Sequence, residues 1–243
     1  MYSADLSLFV LDAGIALLER QEADLLYLSL SDYVQHAHAP GDPVADAFHR
    51  AIDDRVARFV ELSAVVGLVA DHGMNDKARP DGTPNVVFLE DALNECFGAG
   101  AVRVICPITD PFVRHHGALG SFVRVYARGS TDLAALMATS AALPGVALVL
   151  DGSEAAERLE MPIDREADFV VLGDPNTAIG ASRAEHDLAG LAGHRLRSHG
   201  GLGEQQVPFI LSRPLTPEYL HHAETRPLRN FDIFDFALNG VGS

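Results

Sequence analysis

Residues 65–74 of the chain read Val65-Val66-Gly67-Leu68-Val69-Ala70-Asp71-His72-Gly73-Met74, and this stretch decides the fold class. Residues 65–70 are uncharged and mostly apolar, which is typical of a strand buried on both faces. Such strands belong to parallel sheets covered by helices, in which ligands collect at the carboxyl ends of the strands. The stretch therefore predicts an α/β protein with a polar site directly after this strand.

The sequence before this strand favours the same architecture. Apolar residues recur at helical spacing over residues 6–20 and 43–62, and the run at 25–30 is interpreted as a second buried strand. The order helix, strand, helix, strand predicts a mostly parallel sheet with helices on both faces. Ser31 and Asp32 follow the first strand, so two polar clusters are expected at one edge of the sheet.

The middle of the chain has a different pattern. Short strands separated by few helices predict a small α+β cap insertion at 84–191, set into a core formed by residues 1–83 and 192–243. The tail returns to the core pattern with a strand at 207–211 and a final helix at 231–238. Within the cap, a strand-to-helix passage is predicted at 86–96, a helix at 131–142, and strands at 102–106, 122–126, 146–150 and 169–172.

Composition and charge exclude several classes of protein. Lys and Arg together number 18 and Asp and Glu number 34, a formal net charge of -16 that repels phosphate backbones and argues against a nucleic-acid partner. No apolar run reaches the roughly 18 residues that a membrane span needs. The two cysteines and the absence of a signal-peptide pattern lead us to expect a cytoplasmic protein.

Five side chains of metal-binding type stand at or near strand ends. Asp32 and His36 share one face if their segment is helical, and Asp71 and His72 follow a strand, where a buried carboxylate needs compensation. His199 lies between a serine and two glycines on a late loop. Each has a simpler reading: a chance spacing, a helix-capping Asp beside an exposed His, or a surface His. Together they suffice for most of a two-metal site.

These motifs resemble the alkaline phosphatase superfamily of metallohydrolases and, within it, the phosphonoacetate hydrolases. The residues Ala70-Asp71-His72-Gly73 match the superfamily signature. The narrower resemblance rests on residues 28–41, residues 107–121 around His115-His116, and residues 196–201. The resemblance covers nearly the whole chain and implies an alkaline-phosphatase-like fold.

The resemblance also implies a metal content and a ligand set. Asp32, His36 and His199 would bind one zinc ion, and Asp71 with His72 would contribute to a second, so one site of the family's two is complete here. Mn²⁺ and Fe²⁺ suit the same donors. His115 and His116 would line the substrate pocket, although a solvated pair in a loop is the simpler alternative.

The activity implied by the resemblance is zinc-dependent hydrolysis of the carbon–phosphorus bond of phosphonoacetate, a small phosphonate, to acetate and phosphate. Such a reaction belongs to phosphonate catabolism. A threonine alkoxide attacks phosphorus in these enzymes, and the resulting phospho-enzyme is hydrolysed. That threonine has no counterpart here, because Thr83 and Thr109 both follow the Asp-His motif.

The missing threonine leads us to expect an N-terminally truncated chain. It would be a fragment, a partner to a separately encoded N-terminal half, or a degenerate relative, and a homo-oligomer is also compatible with it. Two other functions stay open: a phosphodiesterase or nucleotide pyrophosphatase of the same superfamily, and a non-catalytic metal-binding fragment.

Overall fold

The computed structural model describes residues 3–107, 118–191 and 193–242. Their contacts divide the chain into two compact units: unit 1 is Met1–His72 with Gln206–Ser243, and unit 2 is Gly73–Gln205. The division into core and cap made from the sequence stays a prediction.

The described helices are α1 (Ala4–Glu19), α2 (Tyr33–Ala37), α3 (Pro43–Glu61), α4 (Leu89–Phe97), α5 (Leu133–Ala141), α6 (Gly152–Arg158), α7 (Pro217–Thr225) and α8 (Asp232–Asn239). The strands are β1 (Gly67–Val69), β2 (Asn75–Asp76), β3 (Val86–Phe88), β4 (Val102–Ile105), β5 (Phe122–Ala127), β6 (Val146–Asp151), β7 (Phe169–Gly173), β8 (Ala178–Gly180), β9 (Arg197–Ser198) and β10 (Phe209–Leu211).

The long helices of unit 1 begin where their sequences predict. Ser3 caps α1 by accepting a hydrogen bond from the Leu6 N–H at 3.1 Å. Asp42 caps α3 by accepting from the Val44 N–H at 2.8 Å, and Pro43 occupies the first turn, where its missing N–H has no cost. Both predicted amphipathic helices of this part of the chain are therefore confirmed.

The predicted strand at 25–30 is wrong, since no strand is assigned there within the described part of the chain. Its side chains alternate, with Leu26 and Leu28 half-buried and Leu25 and Tyr27 70% and 78% exposed. A strand exists only through hydrogen bonds to a neighbour, and the described residues place none beside this segment. The apolar pattern was recognised correctly, but the pairing it implied is not formed.

Strand pairing also corrects the expectation of a mostly parallel sheet. Of the six ladders within the described ranges, only that between β3 and β8 is parallel. Strand β1 pairs with β10, antiparallel, in the register Gly67↔Leu211. Gly67 is exposed and Leu68 and Val69 are half-buried, so the prediction that this strand is buried on both faces is wrong. The α/β class itself is confirmed, because the described chain is built from both helices and sheets.

Helix α8 packs against β1 at the position of Gly67. A Cβ atom on Gly67 would stand 2.8 Å from Cγ1 of Ile233, which is shorter than a van der Waals contact. The glycine therefore lets the helix approach the strand backbone. This contact supports the strand that leads into Asp71 and His72.

Unit 2 is built around a four-stranded antiparallel sheet in the order β4-β5-β7-β6. Its apolar core includes Val104, Val125, Phe169 and Val171, all fully buried. The strands predicted at 102–106, 122–126, 146–150 and 169–172 are confirmed within a residue or two. Helix α6 of this unit, with 7 residues, was not predicted, and neither was α7 of unit 1.

No helix in the described ranges is both long and apolar enough to cross a membrane.

Candidate metal centre

Helix α2 brings Asp32 and His36 together. Asp32 is the residue before the helix, and its carbonyl accepts the His36 N–H at 3.1 Å. The side chains meet one helical turn apart, with His36 Nε2 at 3.1 Å from Asp32 Oδ2. The imidazole is buried, whereas the carboxylate is 43% exposed. The histidine is thus held in the interior of unit 1 and the aspartate faces outward beside it.

His72 approaches the same carboxylate from the end of β1. Its Nε2 lies 3.9 Å from Asp32 Oδ2 and 3.6 Å from Asp71 Oδ2. The Asp71 side chain is 84% exposed, so the argument that its burial demands compensation is wrong. Asp71 also caps no helix, because its Oδ1 accepts the N–H of His72 at 3.1 Å and the next helix, α4, starts at Leu89.

The donor set of unit 1 suits a transition-metal ion. Two carboxylates and two imidazoles approach one another through contacts of 3.1, 3.6 and 3.9 Å. Ligands bound to a tetrahedral zinc ion at 2.0–2.2 Å stand roughly 3.3 Å apart. Each of the three contacting pairs is close to this spacing, which is compatible with metal binding by these side chains. Oxygen and imidazole donors also suit Mn²⁺ and Fe²⁺, and the geometry does not choose among the three.

His38, two residues beyond His36, makes a different contact. Its Nδ1 lies 3.3 Å from Asp42 Oδ2, and Asp42 is the N-cap of α3. The Val44 N–H, with a further contribution from His38, lowers the pKa of Asp42 below its ordinary value. Asp42 therefore serves the start of a helix, as its sequence position predicts.

His199 belongs to unit 2 and follows β9, which pairs with β2 in the antiparallel register Asn75↔Ser198. The His199 carbonyl accepts the Ser121 N–H at 2.8 Å. Gly200 has φ +106°, a conformation that residues with a Cβ rarely adopt, and a Cβ there would stand 3.3 Å from the Ser121 nitrogen. The two glycines after His199 thus form a tight loop against the chain near Ser121.

Sequence reasoning did not assign roles to Lys77 and Glu204, which lie beside this loop. Both are buried, with Lys77 Nζ donating to Glu204 Oε1 at 2.9 Å. The available signal was that Lys77 is the only lysine among the first 100 residues. A single lysine in a sequence does not reveal whether its side chain is buried. The buried pair with Glu204 therefore could not be predicted.

Two pairs of candidates from the sequence remain, His115 with His116 and the two cysteines. His115 and His116 lie outside the described residues. Cys96 is exposed, and burial raises the pKa of the Cys106 thiol to about 11, which leaves it protonated near neutral pH. The Cys106 thiol therefore lacks the low pKa expected of a nucleophile or a metal ligand.

Comparison with known proteins identifies the relatives of this chain. The model of the type I phosphodiesterase / nucleotide pyrophosphatase family matches residues 5–201. The crystal structure of phosphonoacetate hydrolase from Sinorhizobium meliloti 1021 in complex with phosphonoformate is 44% identical, with a TM-score of 0.87. The same enzyme in complex with phosphonoacetate gives 44% and 0.86. Each match covers 99% of this chain and 57% of the other.

Two further relatives are more limited matches. Phosphonoacetate hydrolase of Penicillium oxalicum is 69% identical over 29 residues, which is 12% of this chain and 40% of that protein. Murine ectonucleotide pyrophosphatase / phosphodiesterase 5 is 16% identical, with a TM-score of 0.59 over 96% of this chain and 61% of its own, and shares the fold alone.

The resemblance to phosphonoacetate hydrolases of the alkaline phosphatase superfamily, expected from the sequence, is confirmed by these matches. The chain spans less than two thirds of the length of the relatives it matches. The family model nevertheless covers most of the present sequence. The chain belongs to the type I phosphodiesterase / nucleotide pyrophosphatase family.

Proposed function

We propose that this chain carries the metal-binding part of an enzyme that hydrolyses the carbon–phosphorus bond of phosphonoacetate to acetate and phosphate. One observation carries the proposal: Asp32, His36, Asp71 and His72 converge within 4 Å contacts in a chain 44% identical to a hydrolase solved with phosphonoacetate. Small phosphonates are the proposed substrates.

The proposed metal is zinc, with one complete site in this chain and part of a second. Asp32, His36 and His199 hold the first, and Asp71 with His72 contributes to the second. Zinc bound at such a site lowers the pKa of a nucleophile and stabilises negative charge on a leaving group. His36 anchors the centre because its ring is buried, whereas the exposed carboxylates of Asp32 and Asp71 stay open to solvent and substrate.

The nucleophile is proposed to come from outside this sequence. Thr83 donates its hydroxyl to Asp81 at 2.7 Å in an exposed turn of unit 2, which gives it a structural partner rather than an activating base. Thr109 lies outside the described residues. The relatives extend well beyond the part that this chain matches, and an N-terminal half is the proposed source of the attacking threonine.

An exposed apolar face of unit 1 supports an N-terminal half as the partner. Tyr27 and Phe234 are 78% and 51% exposed, and their ring centroids lie 6.0 Å apart. Leu25 and Leu238 are also exposed. Segment 25–30 has no assigned strand partner within the described ranges, and unpaired apolar segments favour association. A second copy of the chain is the alternative occupant.

Metal content of the purified chain tests the first part of this proposal. We expect about one tightly bound zinc ion per chain, lost in an Asp32→Ala, His199→Ala double variant. The matched control is His221→Ala, His222→Ala, which removes two imidazoles from α7 instead. Absence of metal from the purified chain, or equal loss in the control, contradicts the proposed site. Elemental analysis distinguishes zinc from manganese and iron.

Activity requires a second experiment. The chain alone is expected to release little or no phosphate from phosphonoacetate, and to gain activity when the N-terminal part of a related hydrolase is supplied in trans. Strong phosphate release by the chain alone would refute an external nucleophile. No activity with any supplied half would favour a non-catalytic metal-binding protein.

The family match favours one alternative activity, hydrolysis of phosphodiesters or nucleotide pyrophosphates. The same reconstituted protein should be assayed with phosphonoacetate and with a nitrophenyl phosphodiester. A clear preference for the diester would replace the proposed substrate while keeping the metal centre.

A further inference from the structure

A buried ion pair in unit 2 holds the loop that carries His199. Lys77 is fully buried, and its Nζ donates to Glu204 Oε1 at 2.9 Å and to the Pro175 carbonyl at 2.8 Å. Glu204 is 2% exposed. Burial lowers the pKa of Lys77, and the bond to Glu204 opposes that change.

The Glu204 carboxylate accepts three hydrogen bonds from the described residues. Besides Lys77, its Oε1 accepts from Asn75 Nδ2 at 2.5 Å. Its Oε2 accepts the Gly201 N–H at 2.7 Å. The backbone carbonyl of Glu204 accepts the Gly73 N–H at 2.6 Å. Both carboxylate oxygens are therefore engaged, and one of them binds the backbone two residues beyond His199.

These contacts hold the backbone on both sides of Gly200. The carbonyl before it, that of His199, accepts from the Ser121 N–H, and the N–H after it, that of Gly201, donates to Glu204. Gly200 itself lies at φ +106°. A turn held at both ends leaves the Cα–Cβ direction of His199 little freedom.

A buried ion pair is an expensive way to stabilise a fold. Removing two charges from water costs free energy that well-packed apolar side chains would not. Such pairs are retained in some proteins because they specify one geometry. Here the geometry that the pair specifies is that of the His199 loop, since Glu204 reaches the loop backbone directly.

We infer that Lys77 and Glu204 are positioning residues that set the His199–Gly201 loop before any metal binds. This inference rests on the proposed role of His199 as a zinc ligand. Groups that orient a metal ligand without touching the metal typically change metal affinity 10- to 100-fold when removed. The pair is expected to act in this way, through the loop backbone.

The test uses a Lys77→Met, Glu204→Gln double variant of the whole chain, which keeps side-chain volume and removes both charges. We expect hydrogen exchange of the Gly201 amide to rise at least about ten-fold in the metal-free chain. The dissociation constant for Zn²⁺ alone, measured by competition with a chromophoric chelator, is expected to rise about ten-fold.

A matched control pair is available in the same unit. Arg124 Nε lies 2.7 Å from Glu166 Oε1, and the Glu166 side chain is 1% exposed. An Arg124→Met, Glu166→Gln variant removes a comparable buried carboxylate that contacts neither Gly201 nor His199 in the described interactions. It is expected to lose thermal stability while keeping the exchange rate at Gly201 and the zinc affinity of the parent chain.

The outcomes separate this inference from the proposed function. Unchanged exchange at Gly201, or equal loss of zinc affinity in the control, overturns the inference. If His199→Ala leaves zinc affinity unchanged, the proposed ligand is wrong, while the Gly201 exchange still decides whether the pair orders the loop. Should the double variant fail to fold, Glu204→Gln alone is subjected to both measurements, with Glu166→Gln as its control.

Discussion

Replacing Gly67 by alanine tests the contact that supports the strand before Asp71. The new Cβ would stand 2.8 Å from Cγ1 and 3.2 Å from Cδ1 of Ile233, and 3.4 Å from Cβ of Ala237. The first distance is shorter than real Cβ contacts allow, so α8 has to move by several tenths of an ångström. Ile233 is buried, which leaves its side chain little room to turn away.

The expected change in the free energy of unfolding follows from two opposing effects. Overpacking a buried contact costs about 1–3 kcal/mol, while alanine in place of glycine in a strand gains about 0.5–1 kcal/mol of chain entropy. We therefore expect Gly67→Ala to lower the free energy of unfolding by about 1–2 kcal/mol. Urea unfolding followed by circular dichroism measures this change.

A double-mutant cycle with Ile233→Ala identifies the cause. That change removes the two nearest of these three atoms and by itself costs about 2–5 kcal/mol. In its background, Gly67→Ala should be neutral or slightly stabilising. The control is Gly242→Ala, where no atom lies within 4 Å of the added Cβ. An equal penalty for Gly67→Ala with and without Ile233 would refute the packing argument.

Three further predictions concern the centre and the charged groups around the fold. Asp32→Asn should weaken zinc binding about 100-fold, because Oδ2 of Asp32 is the atom that both His36 and His72 approach. An unchanged affinity in titration calorimetry would contradict this prediction. Cys106, with a pKa of about 11, should be roughly one-thousandth thiolate at pH 8, so a thiol reagent should modify exposed Cys96 first and Cys106 only after unfolding. The guanidinium of Arg226 lowers the pKa of Asp232 below its ordinary value of 3.8. The stability that this ion pair contributes is therefore present at neutral pH and is lost as the pH falls through the lowered pKa. Asp232→Asn should therefore destabilise the chain more at neutral pH than at about pH 2, and an equal effect at both would speak against the pair.

Local patterns predicted the elements that depend on local interactions. Helix α3 could be predicted because its apolar residues recur at helical spacing and because Asp42 and Pro43 mark its start. The strands of unit 2 could be predicted from short apolar runs between turn residues. Helix α6 was not predicted, because seven residues are too few to show a helical period. Asp151 and Glu154 nevertheless form a capping box at its start.

Pairing and burial could not be predicted in the same way. The run at 25–30 has the apolar pattern of a strand, yet strand formation needs a neighbouring backbone that no local pattern supplies. Asp71 was expected to be buried because it follows an apolar strand, and it is 84% exposed. Both errors arise from assuming neighbours that the described residues do not include.

The sequence by itself determined the family and the ligand-type residues, since motifs such as Asp32 to His36 and Ala70 to Gly73 are contiguous and need no coordinates to be recognised. Tertiary structure alone decided that His72 lies 3.9 Å from Asp32, forty positions earlier in the chain. It also decided that Lys77 and Glu204 meet in the interior of unit 2. The physical reason is that contacts between distant residues, and the burial they share, depend on how the elements pack, whereas helix caps, periods and motifs depend on neighbours along the chain.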